Sequence, residues 1–268
     1  MYWRAEADGG YCKIMRLLFA AICVALVTWT AEAPVQAQIT QNAIQRVLMI
    51  RYGSRVATGF TLDVDTRQYI ITAAHVVAGM EENGKIQIRR DEKWAEIAVK
   101  KLTTVADGAD IAVLAPSNSL TPSLELPPYD GVTTYGNDVF FLGFPYGISM
   151  PSGTTNNLYP LPFVKKAIVS AIISGGGIER IYLDGINNPG FSGGPVVVLD
   201  PRERYPEGNP KVKVIGVISG FRNERLPVRD GEQPTSLTVE TNTGIIEAVA
   251  ISYAIDAIRL NPIGATLP

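Results

Sequence analysis

Short runs of β-branched and aromatic residues, each closed by turn residues, constrain the fold of this chain more than any other feature. Residues 85–89 (KIQIR) alternate polar and apolar side chains, as a strand with one buried face does. So many short strands predict an all-β chain built of antiparallel barrels or sandwiches. The predicted strands are 47–52, 57–64, 69–72, 85–89, 96–102, 111–114, 139–142, 167–173, 180–183, 196–199 and 212–218.

Segments without strand character divide and close this pattern. Residues 115–131 contain four prolines, which argues against regular structure there and indicates a linker between two halves. Residues 201–210 are predicted to form a polar hairpin loop, and residues 222–243 a polar, mobile surface segment. The only convincing helix is terminal: Ser252 can cap it, and a proline at position 262 stops it.

The first 37 residues resemble a secretory signal peptide. Two basic residues precede an apolar run at 17–29, and small residues follow at Ala33 and Ala37, where cleavage is expected. The run is too short to span a bilayer, which needs about 20 apolar residues. An uncleaved membrane anchor is the alternative. Export is therefore expected, to the periplasm or the medium.

Two other features of this N-terminal segment affect the mature chain. The translation start is open between Met1 and Met15, because the residues before Met15 are unusually polar for a signal peptide. Both cysteines, Cys12 and Cys23, lie within the segment, so the mature chain is expected to contain neither a thiol nor a disulfide.

Charge and histidine content exclude several classes of function. The chain has 24 Lys and Arg against 26 Asp and Glu, which is not the basic balance of a nucleic-acid-binding protein. It has a single histidine, His75, so a metal site built from several histidines is excluded.

His75 and Asp110 each stand at the end of a predicted strand. His75 directly follows the apolar strand 69–72, where a lone histidine is more often packed than catalytic. Asp110 precedes the apolar run 111–114, and a turn aspartate is its ordinary interpretation. A buried aspartate needs a partner, however, and His75 is a suitable one.

Ser192 lies in a glycine-rich turn, NPGFSGGP, at residues 188–195. The simplest interpretation is a tight turn before strand 196–199. A nucleophilic serine needs the same features, because flanking glycines permit unusual dihedral angles and close approach of a substrate. The N–H groups of Gly190 and Ser192 can then point together at a developing oxyanion.

The motifs TAAH (72–75), DIAVL (110–114) and GFSGGP (190–195) follow one another in this order. Together they resemble the trypsin-like (chymotrypsin-fold) serine peptidases, over residues 43–260. The resemblance implies two six-stranded antiparallel β-barrels with a C-terminal helix, which form one peptidase domain at 38–268. The N-terminal barrel, 38–122, carries His75 and Asp110, and the C-terminal barrel, 123–268, carries Ser192.

Other motifs are similar to bacterial HtrA-type peptidases: TGF at 58–60, LGFPYG at 142–147, and Asp184 shortly before NPG at 188–190. No PDZ domain is expected after the catalytic region. Phe191 also departs from the animal digestive members, which carry an aspartate there that captures a newly cut N-terminus. Activation by that switch is therefore not expected.

The resemblance implies an endopeptidase that acts through a Ser-His-Asp triad and an acyl-enzyme. Ser192 is the expected nucleophile, His75 the base and then the acid, and Asp110 the group that orients the imidazole. Gly190 and Ser192 supply the oxyanion hole. A protein or peptide is the expected substrate, and no metal, cofactor or nucleic acid is expected.

By alignment, the residue-specificity pocket includes Ile186, Ser219 and Phe221. Ile186 stands near the position where members with basic preference carry an acid, so a preference for small or medium apolar residues is predicted. Two alternatives stay open: a weak or inactive binding protein on the same fold, and an unrelated secreted β-sandwich adhesion protein. The oligomeric state is not predicted.

Overall fold

The strands occupy most of the chain that the structure describes. The computed structural model describes residues 39–104, 106–152 and 156–267. Helix α1 (Gln41–Gln45) begins this part and helix α2 (Ser252–Leu260) lies near its end. The strands are β1 (Val47–Tyr52), β2 (Arg55–Val64), β3 (Arg67–Thr72), β4 (Asn83–Arg90), β5 (Lys93–Leu102), β6 (Ala112–Pro116), β7 (Asp138–Gly143), β8 (Phe163–Gly175), β9 (Ile178–Asp184), β10 (Pro195–Arg204), β11 (Pro210–Asp230), β12 (Gln233–Ala250) and β13 (Ala265–Thr266).

Strands β1 to β6 form the first barrel. Their order is β3-β2-β1-β4-β5-β6, and β3 also pairs with β6, which joins the two ends of the sheet. Strands β7 to β12 form a second closed barrel in the order β10-β11-β12-β9-β8-β7. The pairings within both barrels are antiparallel. The prediction of two six-stranded antiparallel barrels with a C-terminal helix is confirmed.

Three clusters of buried apolar side chains follow from this arrangement. One includes Ile70 and Leu114 and draws on the strands of the first barrel. Another includes Phe141 and Val196 and draws on the strands of the second barrel. The third joins strands of both barrels with α2, so it is the core between the barrels. Burial on both faces explains why several strands have nearly continuous apolar runs instead of alternation.

The segment 222–243 was predicted wrongly as a mobile surface segment. It belongs to β11 and β12, which pair from Gly216 with Ala250 out to Asp230 with Gln233. The outer part, residues 223–242, is a two-stranded ribbon that extends beyond the pairing with β10. Most of its side chains are exposed, which explains the lack of an apolar face in the sequence. The predicted hairpin loop 201–210 is also shorter, since β10 continues to Arg204.

The C-terminal segment returns to the first barrel. Ser252 is the first residue of α2 and does not cap it: the N-cap is Ile251, which makes no side-chain cap bond. After α2, the short strand β13 pairs with β3, Ala265 opposite Gln68. The side chain of Arg67 also donates to the carbonyl of Gly264 at 2.8 Å. The last residues therefore belong to the first barrel, although they follow the second in sequence.

The predicted signal segment 1–37, with both cleavage sites, lies outside the described residues. Within the described ranges, neither α1 nor α2 has the length and apolar content that a membrane crossing requires.

An ion-pair cluster surrounds the buried Asp200, on the part of β10 farthest in sequence from Ser192. Asp200 is fully buried and lies 3.1 Å from Lys213 Nζ and 2.8 Å from Arg202. Lys213 also contacts Asp130 and Glu203, at 3.2 and 2.5 Å. Hydrogen bonds from Arg202 hold the pKa of Asp200 well below its usual range. The carboxylates of Asp130, Asp200 and Glu203 lie close enough together to hold a metal ion. Here the cationic side chains of Arg202 and Lys213 are their partners.

Candidate active site

His75 and Asp110 meet because β3 and β6 are antiparallel neighbours. Thr72, at the end of β3, pairs with Ala112, at the start of β6. His75 follows β3 in a 3-10 turn and Asp110 precedes β6, so both lie at the same end of this pair. His75 Nδ1 lies 2.7 Å from Asp110 Oδ2, and the backbone N–H of His75 donates to Asp110 Oδ1 at 2.9 Å. The carboxylate is therefore fixed at both oxygens by one residue.

A third contact comes from the second barrel. The hydroxyl of Ser219, on β11, donates to Asp110 Oδ2 at 2.5 Å. Burial by itself would raise the pKa of Asp110, but the hydrogen bonds from His75 and Ser219 outweigh it and lower that pKa. Asp110 is therefore ionised at neutral pH. An ionised carboxylate at Nδ1 favours the imidazole tautomer whose Nε2 is free to accept a proton.

Ser192 is brought to this position by the pairing of β10 with β11. Pro195 pairs with Val217, and Ser192 and Ser219 lie just beyond them on the same side of the pair. The Ser192 hydroxyl donates to the Ser219 carbonyl at 3.4 Å and makes no hydrogen bond with His75.

The turn around Ser192 requires glycine at three positions. Gly190 and Gly193 have φ angles of 104° and 84°, which side chains rarely adopt. A Cβ on Gly190 would lie 2.2 Å from the carbonyl oxygen of Phe144, and one on Gly193 would lie 2.2 Å from that of Thr58. A Cβ on Gly194 would lie 2.1 Å from the carbonyl oxygen of Leu142. The turn is thus pressed against backbone on several sides.

Every backbone carbonyl from Ile186 to Ser192 accepts a hydrogen bond, most of them from other parts of the chain. The Thr58 hydroxyl donates to Gly190 at 2.7 Å and the Tyr146 N–H to Pro189 at 2.7 Å. The remaining donors are the side chains of Lys165 and Asn242, to residues 186 and 187, and the N–H groups of Phe191, Gly194 and Thr58, to residues 188, 191 and 192. The segment therefore has no free carbonyl that could turn toward a substrate.

The N–H groups of Gly190 and Ser192, unlike these carbonyls, are not used in hydrogen bonds of the described part of the fold. Within the described residues neither of them donates to a protein acceptor. In a trans peptide the N–H points opposite to the carbonyl. Because the Tyr146 N–H holds the Pro189 carbonyl, the Gly190 N–H points in the opposite direction, away from Tyr146, within the same peptide plane. Two free, fixed N–H donors beside a serine hydroxyl form a site suited to an oxyanion.

Phe191, between these two donors, is fully buried in the core of the second barrel. Its ring packs edge-on against Phe141, with the ring centroids 5.0 Å apart. The ammonium of Lys165 lies 5.7 Å from the centre of the Phe191 ring and donates to Asn188 Oδ1 at 3.0 Å and to the Ile186 carbonyl. Burial lowers the pKa of Lys165. A buried apolar ring and a half-buried lysine thus contact the turn.

The three predicted specificity residues lie in different surroundings. Ser219 contacts Asp110, as described, and Phe221 follows two residues later on β11. Ile186 is 51% exposed, and its side chain lies near Gly244. The buried Asn187, in contrast, joins the segment before Ser192 to strand β11, because its side-chain amide donates to the Gly220 carbonyl at 3.2 Å.

The family model of the trypsin-like peptidase domain matches residues 57–202, more than half of the chain. The chain belongs to this family. The matched region includes His75, Asp110 and Ser192. Membership makes the chain a serine-type peptidase by family. No curated protein matches it.

Solved structures of proteases are similar to this peptidase domain. The active form of Rv3671c protease from M. tuberculosis is 20% identical and covers 89% of this chain and 94% of that chain, with a TM-score of 0.51. The serine endoprotease from Yersinia pestis is 18% identical and covers 82% of this chain and 64% of that chain, also with a TM-score of 0.51. At these identities the similarity shows the fold alone.

Sequence reasoning did not assign a role to Thr58, Tyr146, Lys165 or Asn187. Each acts through a backbone group far away in sequence, so even the motifs TGF and LGFPYG, which contain Thr58 and Tyr146, do not reveal the partner. Thr58 carries a usable signal: a threonine set between Ala57 and Gly59 in a strand predicted to be buried needs a hydrogen-bond partner there.

Proposed function

We propose that the protein is an exported serine endopeptidase that cleaves protein or peptide substrates through Ser192, His75 and Asp110. The observation that carries this proposal is the turn at Ser192, where two free N–H donors lie beside a hydroxyl. The bonded pair of His75 and Asp110 at the neighbouring barrel end supplies a base. A peptidase of this type needs each of these parts in one place.

The first half of the proposed reaction forms an acyl-enzyme. The Ser192 oxygen attacks the peptide carbonyl carbon while His75 Nε2 takes the hydroxyl proton. The oxyanion accepts hydrogen bonds from the N–H groups of Gly190 and Ser192, and loss of one such donor typically lowers kcat by about 10²- to 10³-fold. Asp110 stabilises the imidazolium. The imidazolium then protonates the leaving amine as the carbon–nitrogen bond breaks, which leaves an ester on Ser192.

The second half hydrolyses that ester by the same groups. His75 removes a proton from a water molecule, whose oxygen attacks the ester carbonyl. The same N–H groups stabilise the second oxyanion. His75 returns the proton to the Ser192 oxygen as the ester bond breaks, and the acid product leaves. The free enzyme is restored without any metal or cofactor in these steps.

The proposed preference is for small or medium apolar residues before the cleaved bond. The segments around Asn187 and Gly220 flank the expected pocket, and the buried Asn187 amide carries no charge to pair with lysine or arginine. Export is proposed from the segment 1–37 alone, with the periplasm and the medium both open.

The alternative from the same fold is a binding protein without turnover, and kinetics distinguishes the two. We would incubate the purified protein with an unfolded protein and with quenched peptides that vary the residue before the cleaved bond. Ser192→Ala and His75→Ala should each lower kcat by more than about 10⁴-fold. Peptides with alanine, valine or leucine should be cleaved faster than those with arginine. Absence of cleavage by folded wild type, or equal cleavage by Ser192→Ala, would contradict the proposal.

A further inference from the structure

Thr58, on β2 of the first barrel, is a fully buried residue whose polar atoms all contact other segments. Its hydroxyl donates to the Gly190 carbonyl at 2.7 Å and accepts from the Phe144 N–H at 3.2 Å. Its backbone N–H donates to the Ser192 carbonyl at 3.0 Å, and its carbonyl accepts from the Thr72 hydroxyl at 2.8 Å. One residue of the first barrel thus holds both sides of the turn that carries Ser192.

The direction of the hydroxyl proton follows from its two neighbours. A backbone carbonyl can only accept and a backbone N–H can only donate. The Thr58 proton must therefore point at Gly190, and a lone pair of the oxygen faces the Phe144 N–H. Neither neighbour can reverse its role, so the hydroxyl has a single fixed orientation.

This orientation matters because Gly190 lies between two peptide planes that need to be fixed. Glycine adopts many backbone conformations at little energetic cost, so a flip of either plane is not opposed by the residue itself. Tyr146 holds the carbonyl of the first plane and Thr58 holds the carbonyl of the second. The Gly190 N–H belongs to the first plane, and the backbone angles of Gly190, with φ at 104°, link that plane to the second one, so a movement of the second plane is passed on to the first.

We infer that Thr58 is a positioning residue for the oxyanion hole, acting through the carbonyl of Gly190. This inference rests on the proposed function, because it concerns a donor that acts only on the transition state. Thr58 does not touch the substrate. Its hydroxyl keeps the Gly190 donor aimed before substrate arrives, and such preorganised donors lower the barrier without reorganisation during the reaction.

Packing around Thr58 prevents water from replacing the hydroxyl. A Cβ on Gly143 would lie only 2.7 Å from Thr58 Oγ1, and the threonine side chain is inaccessible to solvent. Loss of the hydroxyl therefore leaves the Gly190 carbonyl and the Phe144 N–H without partners. The rearrangement that costs the least free energy is a movement of the Gly190 carbonyl toward another donor. This movement turns the N–H groups of the turn away from the position of the oxyanion.

The test compares Thr58→Val, Thr58→Ser and a matched control, Thr61→Val. Valine nearly preserves the shape of threonine without the hydroxyl, and serine keeps the hydroxyl. Thr61 lies on the same strand and is equally buried, and its hydroxyl bonds to that of Thr121 at 2.5 Å, away from Ser192. All three variants keep the backbone bond from residue 58 to Ser192. The readouts are kcat, KM and Tm on a peptide that the wild type cleaves.

We expect Thr58→Val to lower kcat by about 10- to 100-fold, somewhat less than complete loss of an oxyanion donor, with KM changed by less than about threefold. Thr58→Ser should keep kcat within about threefold. Thr61→Val should lower Tm without this loss of kcat. A kcat for Thr58→Val within about threefold of wild type, or an equal loss in Thr61→Val, would overturn the inference.

A second comparison decides the matter if Thr58→Val does not fold. Thr58→Cys keeps a similar size with only a weak S–H donor. It should lower kcat well below that of Thr58→Ser, and it should weaken binding of a peptide aldehyde, whose adduct carries the oxyanion, in parallel. Equal kcat in the serine and cysteine variants would contradict the inference. Inactive wild type would instead contradict the proposed function, so the two failures are distinguishable.

Discussion

At the residue scale, the three motif residues and their supporting residues differ in how far the sequence reveals them. His75, Asp110 and Ser192 each stand in a characteristic motif next to a predicted strand, and the structure brings His75 and Asp110 into contact. Thr58 and Lys165 act on backbone carbonyls more than 20 residues away in sequence. Single-sequence patterns carry no information on such pairs, so their roles appear only in three dimensions.

Lys165 allows a prediction with a neighbouring control. Lys165→Met keeps an unbranched side chain of similar length, but the hydrogen bonds to Ile186 and Asn188 are lost, each worth about 1.5 kcal/mol. We expect a lower Tm and a several-fold lower kcat/KM. Lys166→Met removes only an exposed ion pair with Asp138 and should change neither. Thermal unfolding and peptide hydrolysis of both variants measure the difference, and identical behaviour would contradict the assigned role.

At the element scale, buried strands were predictable and exposed ones were not. Strands with at least one apolar face have a periodic signal, because burial selects apolar residues at that spacing. The ribbon (residues 223–242) lacks this selection, since most of its side chains face solvent and its backbone groups pair with each other. Its polar sequence is therefore indistinguishable from that of a loop.

Shortening the ribbon tests whether it contributes to the stability of the barrel. Residues 224–241 would be replaced by Asn-Gly, which favours a two-residue hairpin turn and joins Asn223 to its partner Asn242. Because the outer ribbon pairs only with itself, we expect Tm to change by no more than a few degrees. Thermal unfolding followed by circular dichroism measures this. A loss of cooperative unfolding would show that the ribbon is part of the core.

At the scale of the whole molecule, the two-barrel architecture was predictable from the strands and the proline-rich linker, but the path of the C-terminus was not. β13 has two residues, too few for a pattern, and it joins β3 of the first barrel after α2. A predicted boundary that assigns all of 123–268 to one barrel cannot represent this return.

Acid stability of the whole molecule should depend on Asp200. Its pKa is lower in the folded protein than the ordinary value of about 3.9 in the unfolded chain. The resulting stabilisation is fully present above that ordinary value and is lost as pH falls toward the folded pKa. Asp200→Asn should therefore be less stable than wild type at pH 7, and the gap in Tm should shrink between about pH 5 and pH 3. A gap independent of pH would contradict this.

Covalent labelling of Ser192 tests the central claim most directly. A fluorophosphonate probe reacts with an activated serine, and peptide mapping by mass spectrometry then locates the adduct. Wild type should be labelled at Ser192, whereas Ser192→Ala should not be labelled and His75→Ala should be labelled far more slowly. Failure to label folded wild type, or an adduct on another serine with Ser192 unmodified, would contradict the assignment of Ser192 as the nucleophile.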